Sequence, residues 1–105
     1  MSIINNIRYA AERLLIVRSQ STGASREILI RISEPIVEVD SKLGLADGLC
    51  CYCWQSIYGI DWSPRKIYGM DSMQALNLAS DLDPLILEIG RDYIVCWPGG
   101  EPYFD

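Results

Sequence analysis

Four cysteines are the side chains of this sequence most suited to chemistry. Cys50, Cys51 and Cys53 cluster, and Cys96 stands apart. Cys50 and Cys53 have the two-residue spacer of a zinc knuckle. Their segment reads as a strand, however, and strand residues three apart point to opposite faces. No Gly-rich knuckle separates them. Alternation instead puts Cys51 and Cys53 on one side, and Cys50, Tyr52 and Trp54 on the other. Such cysteines act as small buried hydrophobes. The expectation is no metal, no cofactor and no disulfide. Redox work is disfavoured as well, because the pair does not open a helix.

Histidine is absent. That removes the commonest general acid/base and any Ser-His or Cys-His dyad. Asp81 and Asp83 are two apart, so on one helix they diverge. Gly99-Gly100 follows a strand, but too few residues come after it for a phosphate-binding helix. The chain is therefore not expected to be an enzyme.

Charge and aromatics point to binding. The net charge is −5. Residues 1–45 carry six basic and five acidic side chains, a net +1. Residues 46–105 carry three basic and nine acidic, a net −6. Nucleic acid is a poor partner, since phosphate contacts need clustered Lys and Arg. An acidic half steers a basic protein, or serves solubility alone. Tyr58, Trp62 and Tyr68 flank a break at Gly59 to Pro64, and Asp61 lies among them. Tyr and Trp are favoured interface anchors, although Tyr58 and Tyr68 also suit cross-strand packing. Loop and helix-surface placement gives four candidate partner-binding residues: Asp61, Trp62, Asp81 and Glu88.

The elements that must position them are legible. Residues 12–19 read as a strand around Leu14-Leu15-Ile16-Val17. A turn cluster follows at Gln20 to Ala24. Ser25 to Ser33 alternates, with Ile28, Ile30 and Ile32 on one face and Glu27, Leu29 and Arg31 on the other. The two strands predict a hairpin. Pro35 marks an edge or bend before Ile36 to Val39. Residues 40–48 read as a loop, Leu49 to Tyr58 as a strand, and Lys66 to Tyr68 as a short one. Asp71 sits at a helix N-cap, with Gln74 at capping-box spacing. Ala75, Leu78, Ala79, Leu82, Ile86 and Ile89 then follow helical spacing to Gly90. Pro84 interrupts that run, which predicts one bent helix or two abutting ones, Asp83 capping the second with Pro84 at its first position. Tyr93 to Trp97 is a last strand, and Tyr103 and Phe104 are placed to pack back. The N-terminal dozen fits a frayed lead better than its alternative, a helix.

The chain of 105 residues, half of them hydrophobic and 22% charged, predicts one globular domain over residues 1–105. No apolar run nears the roughly 18 residues of a membrane span. The start lacks a basic region followed by an apolar segment, so the expected compartment is the cytoplasm. The fold expected is α+β: an antiparallel sheet of four or five strands with one helix, kinked at Pro84, on one face.

Several segments together resemble a known family. They are Ala11-Glu12-Arg13, Arg26-Glu27-Ile28, Cys53 with Ile57 and Gly59, Tyr68-Gly69-Met70-Asp71-Ser72-Met73-Gln74-Ala75-Leu76, and Trp97 before a Gly-rich tail. The chain resembles small bacterial proteins of uncharacterised function marked by Gly-Val-Asp-Ser-x-Gln-Ala-Leu. Met70 replaces the valine, and Pro84 departs from an uninterrupted helix. The resemblance implies a few-stranded antiparallel sheet crossed by one helix and carries no catalytic residues. In type, not motif, the chain also looks like bacterial immunity proteins. The function expected is thus an immunity protein that occludes a basic toxin, a nuclease by preference. The alternative is a non-catalytic structural or housekeeping domain whose acidity serves solubility.

Overall fold

The computed structural model describes residues 7–39 and 49–104. The expected loop at 40–48 and the first six residues lie outside them. The elements in order are β1 (Tyr9–Ser19), β2 (Ser25–Ser33), β3 (Ile36–Val39), β4 (Leu49–Tyr58), β5 (Arg65–Gly69), α1 (Ser72–Ser80), α2 (Asp83–Ile89) and β6 (Tyr93–Cys96). All strand pairs are antiparallel. The fold is α+β, as the sequence predicts. No helix among the described residues is long and apolar enough to cross a membrane.

The sheet has six strand segments, because Pro35 splits one long strand. β5 takes one edge of β4 from Cys51 to Gln55. β2 and β3 therefore share the other edge, pairing Ile32 with Gln55 and Ile36 with Tyr52. The register slips by one residue between them, which is a bulge. Proline cannot donate to a ladder, so a bulge is where a sheet tolerates it. Ser33 fills the gap. Its Oγ accepts from the Trp54 amide at 2.7 Å and donates to the Glu34 carbonyl at 3.0 Å. That explains why this serine is fully buried.

β1 starts at Tyr9, three residues before the apolar centre suggests. Its Leu15 and Val17 face Ile28, Ile30, Ile57, Cys53 and the helices in one core cluster. The chain crosses this side of the sheet once, from β5 through α1 and α2 to β6, which pairs with β1.

The helix start is built by Gly69-Met70-Asp71. Asp71 is extended, and its Oδ1 accepts from the Gln74 amide at 2.8 Å. Gln74 Oε1 accepts in return from Met70, one residue earlier than in a standard capping box. Gly69 is needed for close approach, since a Cβ there would meet the Ala75 amide nitrogen and lie 2.7 Å from Ala75 Cα. A small stripe, Ala75 and Ala79, then rests on the sheet, flanked by Leu76. Leu78 falls on the other flank and is 50% exposed, so the inward role its spacing implied is corrected.

α1 ends where Pro84 cannot supply the amide for the Ser80 carbonyl. Asp81 turns extended. The buried Gln55 amide donates to the Ala79 carbonyl at 3.1 Å, satisfying an orphan acceptor of the helix end. α2 restarts with Leu82 in the capping position, so Pro84 is its second residue and the cap falls one residue before Asp83. Of the two arrangements the sequence left open, the chain adopts two abutting helices.

Candidate protein-binding surface

The four candidate residues lie on the helical side and at one end of the sheet. Asp61 and Trp62 follow Gly59, whose φ of +112° and contact with the Glu27 carbonyl make the turn away from β4 possible only without a Cβ. Three connections meet at this end: the β1–β2 turn, the 59–64 segment and the α2–β6 turn. The Gln20 amide donates to the Asp92 carbonyl at 3.1 Å, and its side chain donates to the Gly90 carbonyl at 3.0 Å. Between them lies a cleft of about 410 Å³ lined by Gln20, Asp61, Trp62, Arg91, Asp92 and Tyr93, with Ser19 and Ser21 at its rim. Asp61 and Trp62, neighbours in sequence, thus line one cleft, which Asp81 and Glu88 do not.

Trp62 is not a free anchor. It is half-buried and packs against the core cluster. Glu88 lies one turn before Arg91–Asp92 and holds Arg65 at 2.7 Å. Asp81 is exposed at the helix junction, where its Oδ1 accepts weakly from the Asp83 amide at 3.4 Å. Asp61 and Asp81 are therefore the cleaner carriers of surface charge.

Sequence reasoning missed the apolar partners of this acidic side. Between residues 70 and 92 the chain carries five acids, Asp71, Asp81, Asp83, Glu88 and Asp92, against one base, Arg91. Met73 is 74% exposed and Leu87 64%. Leu87 borders a shallow groove of about 250 Å³, which Ile86, Val95, Pro102, Tyr103 and Phe104 complete. The C-terminal segment forms that wall because it folds back. The Tyr103 amide donates to the Val95 carbonyl, and Trp97 stacks on Tyr103 at 4.8 Å. Arg13 clamps the pair, 5.2 Å over Trp97 and donating to Tyr103 Oη at 2.7 Å. Leu87 falls outside the helical spacing set, which was the available signal for its exposure.

Tyr58 and Tyr68 take the packing role. Both lie on the far side of the sheet. Tyr58 Oη bonds Tyr9 Oη at 3.0 Å, and Tyr68 tilts against Tyr52 at 5.7 Å. Cys51 and Cys53 face the core, and Cys50 is buried on the opposite side, as alternation predicts. Burial, then the neighbouring Cys51, pushes the Cys53 thiol up, away from the reactive thiolate. No group of three or more Cys, Asp or Glu side chains is arranged to hold a metal among the described residues. No protein-family model matches the chain, and neither the curated proteins nor the solved structures gave a match.

Proposed function

We propose that this chain is an immunity protein, acting in the cytoplasm, that neutralises a bacterial toxin by lying over its active site. The reading rests on one observation: residues 70–92, which build the helical side, carry five acids and one base, with Glu88 paired to Arg65, beside exposed Met73, Leu78 and Leu87. Acidic groups steer a basic partner, and desolvated apolar side chains hold it once docked. A nuclease suits such a surface, because its active site must be basic to hold phosphates. An interface of standard size covers roughly 800 Å² per partner, which one side of so small a protein can offer.

The test is co-expression with the product of the adjacent gene, followed by pull-down and a growth assay. Co-purification and protection support the reading. A neighbour that is not toxic, or one that is neither bound nor neutralised, overturns it. If binding occurs, raising salt should slow association, because the screening length falls from about 30 Å to about 3 Å. Asp61→Lys and Asp81→Lys should lower the on-rate. Glu88→Lys should do so too, but it also breaks the Arg65 pair. Replacing Trp62 should raise the off-rate and, since Trp62 packs on the core, soften the fold. Only Trp62→Phe separates the two effects.

A further inference from the structure

The far side of the sheet carries no helix, and it mixes apolar and aromatic groups with six charged ones. Antiparallel sheets with one wet side normally alternate apolar-in and polar-out. Here the outward set of β1, β2, β4 and β5 includes Leu14, Ile16, Leu29, Trp54, Tyr58 and Tyr68. Leu14 is 43% exposed, Tyr58 46% and Tyr68 42%. Leu14, Leu29 and Tyr58 are cross-strand neighbours on this side, and an exposed apolar group of this kind is a candidate interaction site.

Its charges favour a like copy over a basic partner. Three acids on this side, Glu12, Glu27 and Glu38, are balanced by Arg18, Arg31 and Lys66. Two of the pairs close within the face. Arg31 holds Glu12 at 3.0 Å and lies 4.8 Å over the Tyr9 ring. Lys66 holds Glu38 at 3.2 Å and lies 4.5 Å over Tyr52. Among the described residues the face is therefore neutral. The other described residues carry eight acids against five bases. A basic partner gains no steering on a neutral face. Two copies of this chain repel one another through their acidic helical sides but not through their sheets. We infer that the open sheet side is a self-association surface, on which a second copy packs sheet against sheet about a two-fold axis.

The dimensions fit. The molecule measures 49 × 35 × 21 Å, and the short axis is two layers deep. The sheet side thus spans the two long axes, ample for the roughly 800 Å² per partner of a stable contact. Both helical sides stay outward, so the inference is independent of the toxin reading.

Sedimentation velocity on the purified chain over a wide dilution series tests it. The mass should rise with concentration toward twice the 11.8 kDa of one chain. Added salt should strengthen association, because it screens repulsion between the acidic bodies while leaving apolar contact intact. Leu14→Glu should weaken association at least about tenfold, since a two-fold brings both new carboxylates into one interface. Leu87→Glu, on the helical side, should leave it unchanged. Tyr68→Glu is the second sheet-side variant, to be read if circular dichroism shows that Leu14→Glu has lost its fold. A single 11.8 kDa species at every concentration overturns the inference. So does weakening of association by salt, or equal weakening by the sheet-side and helical-side variants.

Discussion

Leu14 and Leu15 are neighbours in sequence and belong to different surfaces. Leu15 is fully buried beneath the helices, whereas Leu14 is 43% exposed on the open side. The helical side gets its stability from apolar packing and presents unbalanced acidity outward. The sheet side places apolar and aromatic groups outward and neutralises its charge internally. One strand therefore serves a core and a candidate interface together. The difference teaches that exposure and charge balance, read jointly, separate the surface proposed for a basic partner from the one proposed for a like copy.

The sharpest way to break the comparison is to truncate both leucines. Leu15→Ala should cost about 2–5 kcal/mol through the cavity it leaves. Leu14→Ala in the monomer should stay within about 0.5 kcal/mol. Urea midpoints read both, and equal losses would mean that the two sides are not distinct.

Gly69→Ala comes next. Its new Cβ meets the backbone of α1 rather than a side chain that can swing away. Overpacking of this sort costs typically about 1–3 kcal/mol. An unchanged melting temperature would show that α1 can lift off β5 freely. Asp71→Ala removes the cap to Gln74 and should cost about 0.5–2 kcal/mol. A midpoint unchanged within error would reject the capping role.

Alkaline pH probes the two sides separately. The hydrogen bond with Tyr58, then burial, raises the Tyr9 hydroxyl above its ordinary 10.0. Burial, then a hydrogen bond with Glu38, raises Tyr68. A raised folded pKa means that the contribution is fully present below the unfolded value and lost as pH rises through the folded one. Stability should thus hold at neutral pH and fall above the ordinary phenol range. On the helical side the buried Cys53 thiol contributes the same sign from its ordinary 9.0 upward. Tyr9→Phe should flatten the upper part of the fall and leave the lower part. A pH–stability curve identical to wild type would remove the tyrosine pair from the account.

The smallest effect belongs to the helical side's ion pair. Glu88→Gln should cost at most about 1 kcal/mol, because both Glu88 and Arg65 are two-fifths exposed and well screened. A larger loss would show that Glu88 is too engaged in the fold to serve as a free steering charge.

Local rules sufficed where neighbours in sequence settle the matter. Strand alternation in Ser25–Ser33 and Leu49–Tyr58 assigned both faces, the cysteines included. Asp71 and Gln74 announced the helix start, and Pro84 announced the break. The candidate surface was legible only in part. Its acidity can be counted in the sequence, but the apolar groups beside it depended on how α1 and α2 sit. Spacing within α1 assigned Leu78 inward beside Ala75 and Ala79. Ala75 and Ala79 rest on the sheet and leave Leu78 on the uncovered flank. Trp62 and Glu88 looked available in sequence, yet one packs on the core and the other holds Arg65. Ser33 and Gln55 gave no sequence signal, since each is defined by a partner 21 and 24 residues away, Trp54 and Ala79. The sequence by itself determined the elements, their breaks and the acidity, because these follow from side chains within a turn or two of each other. Which apolar groups stayed outside, and that the sheet's open side is neutral, only the tertiary structure decided. Both depend on which distant segments come to lie side by side.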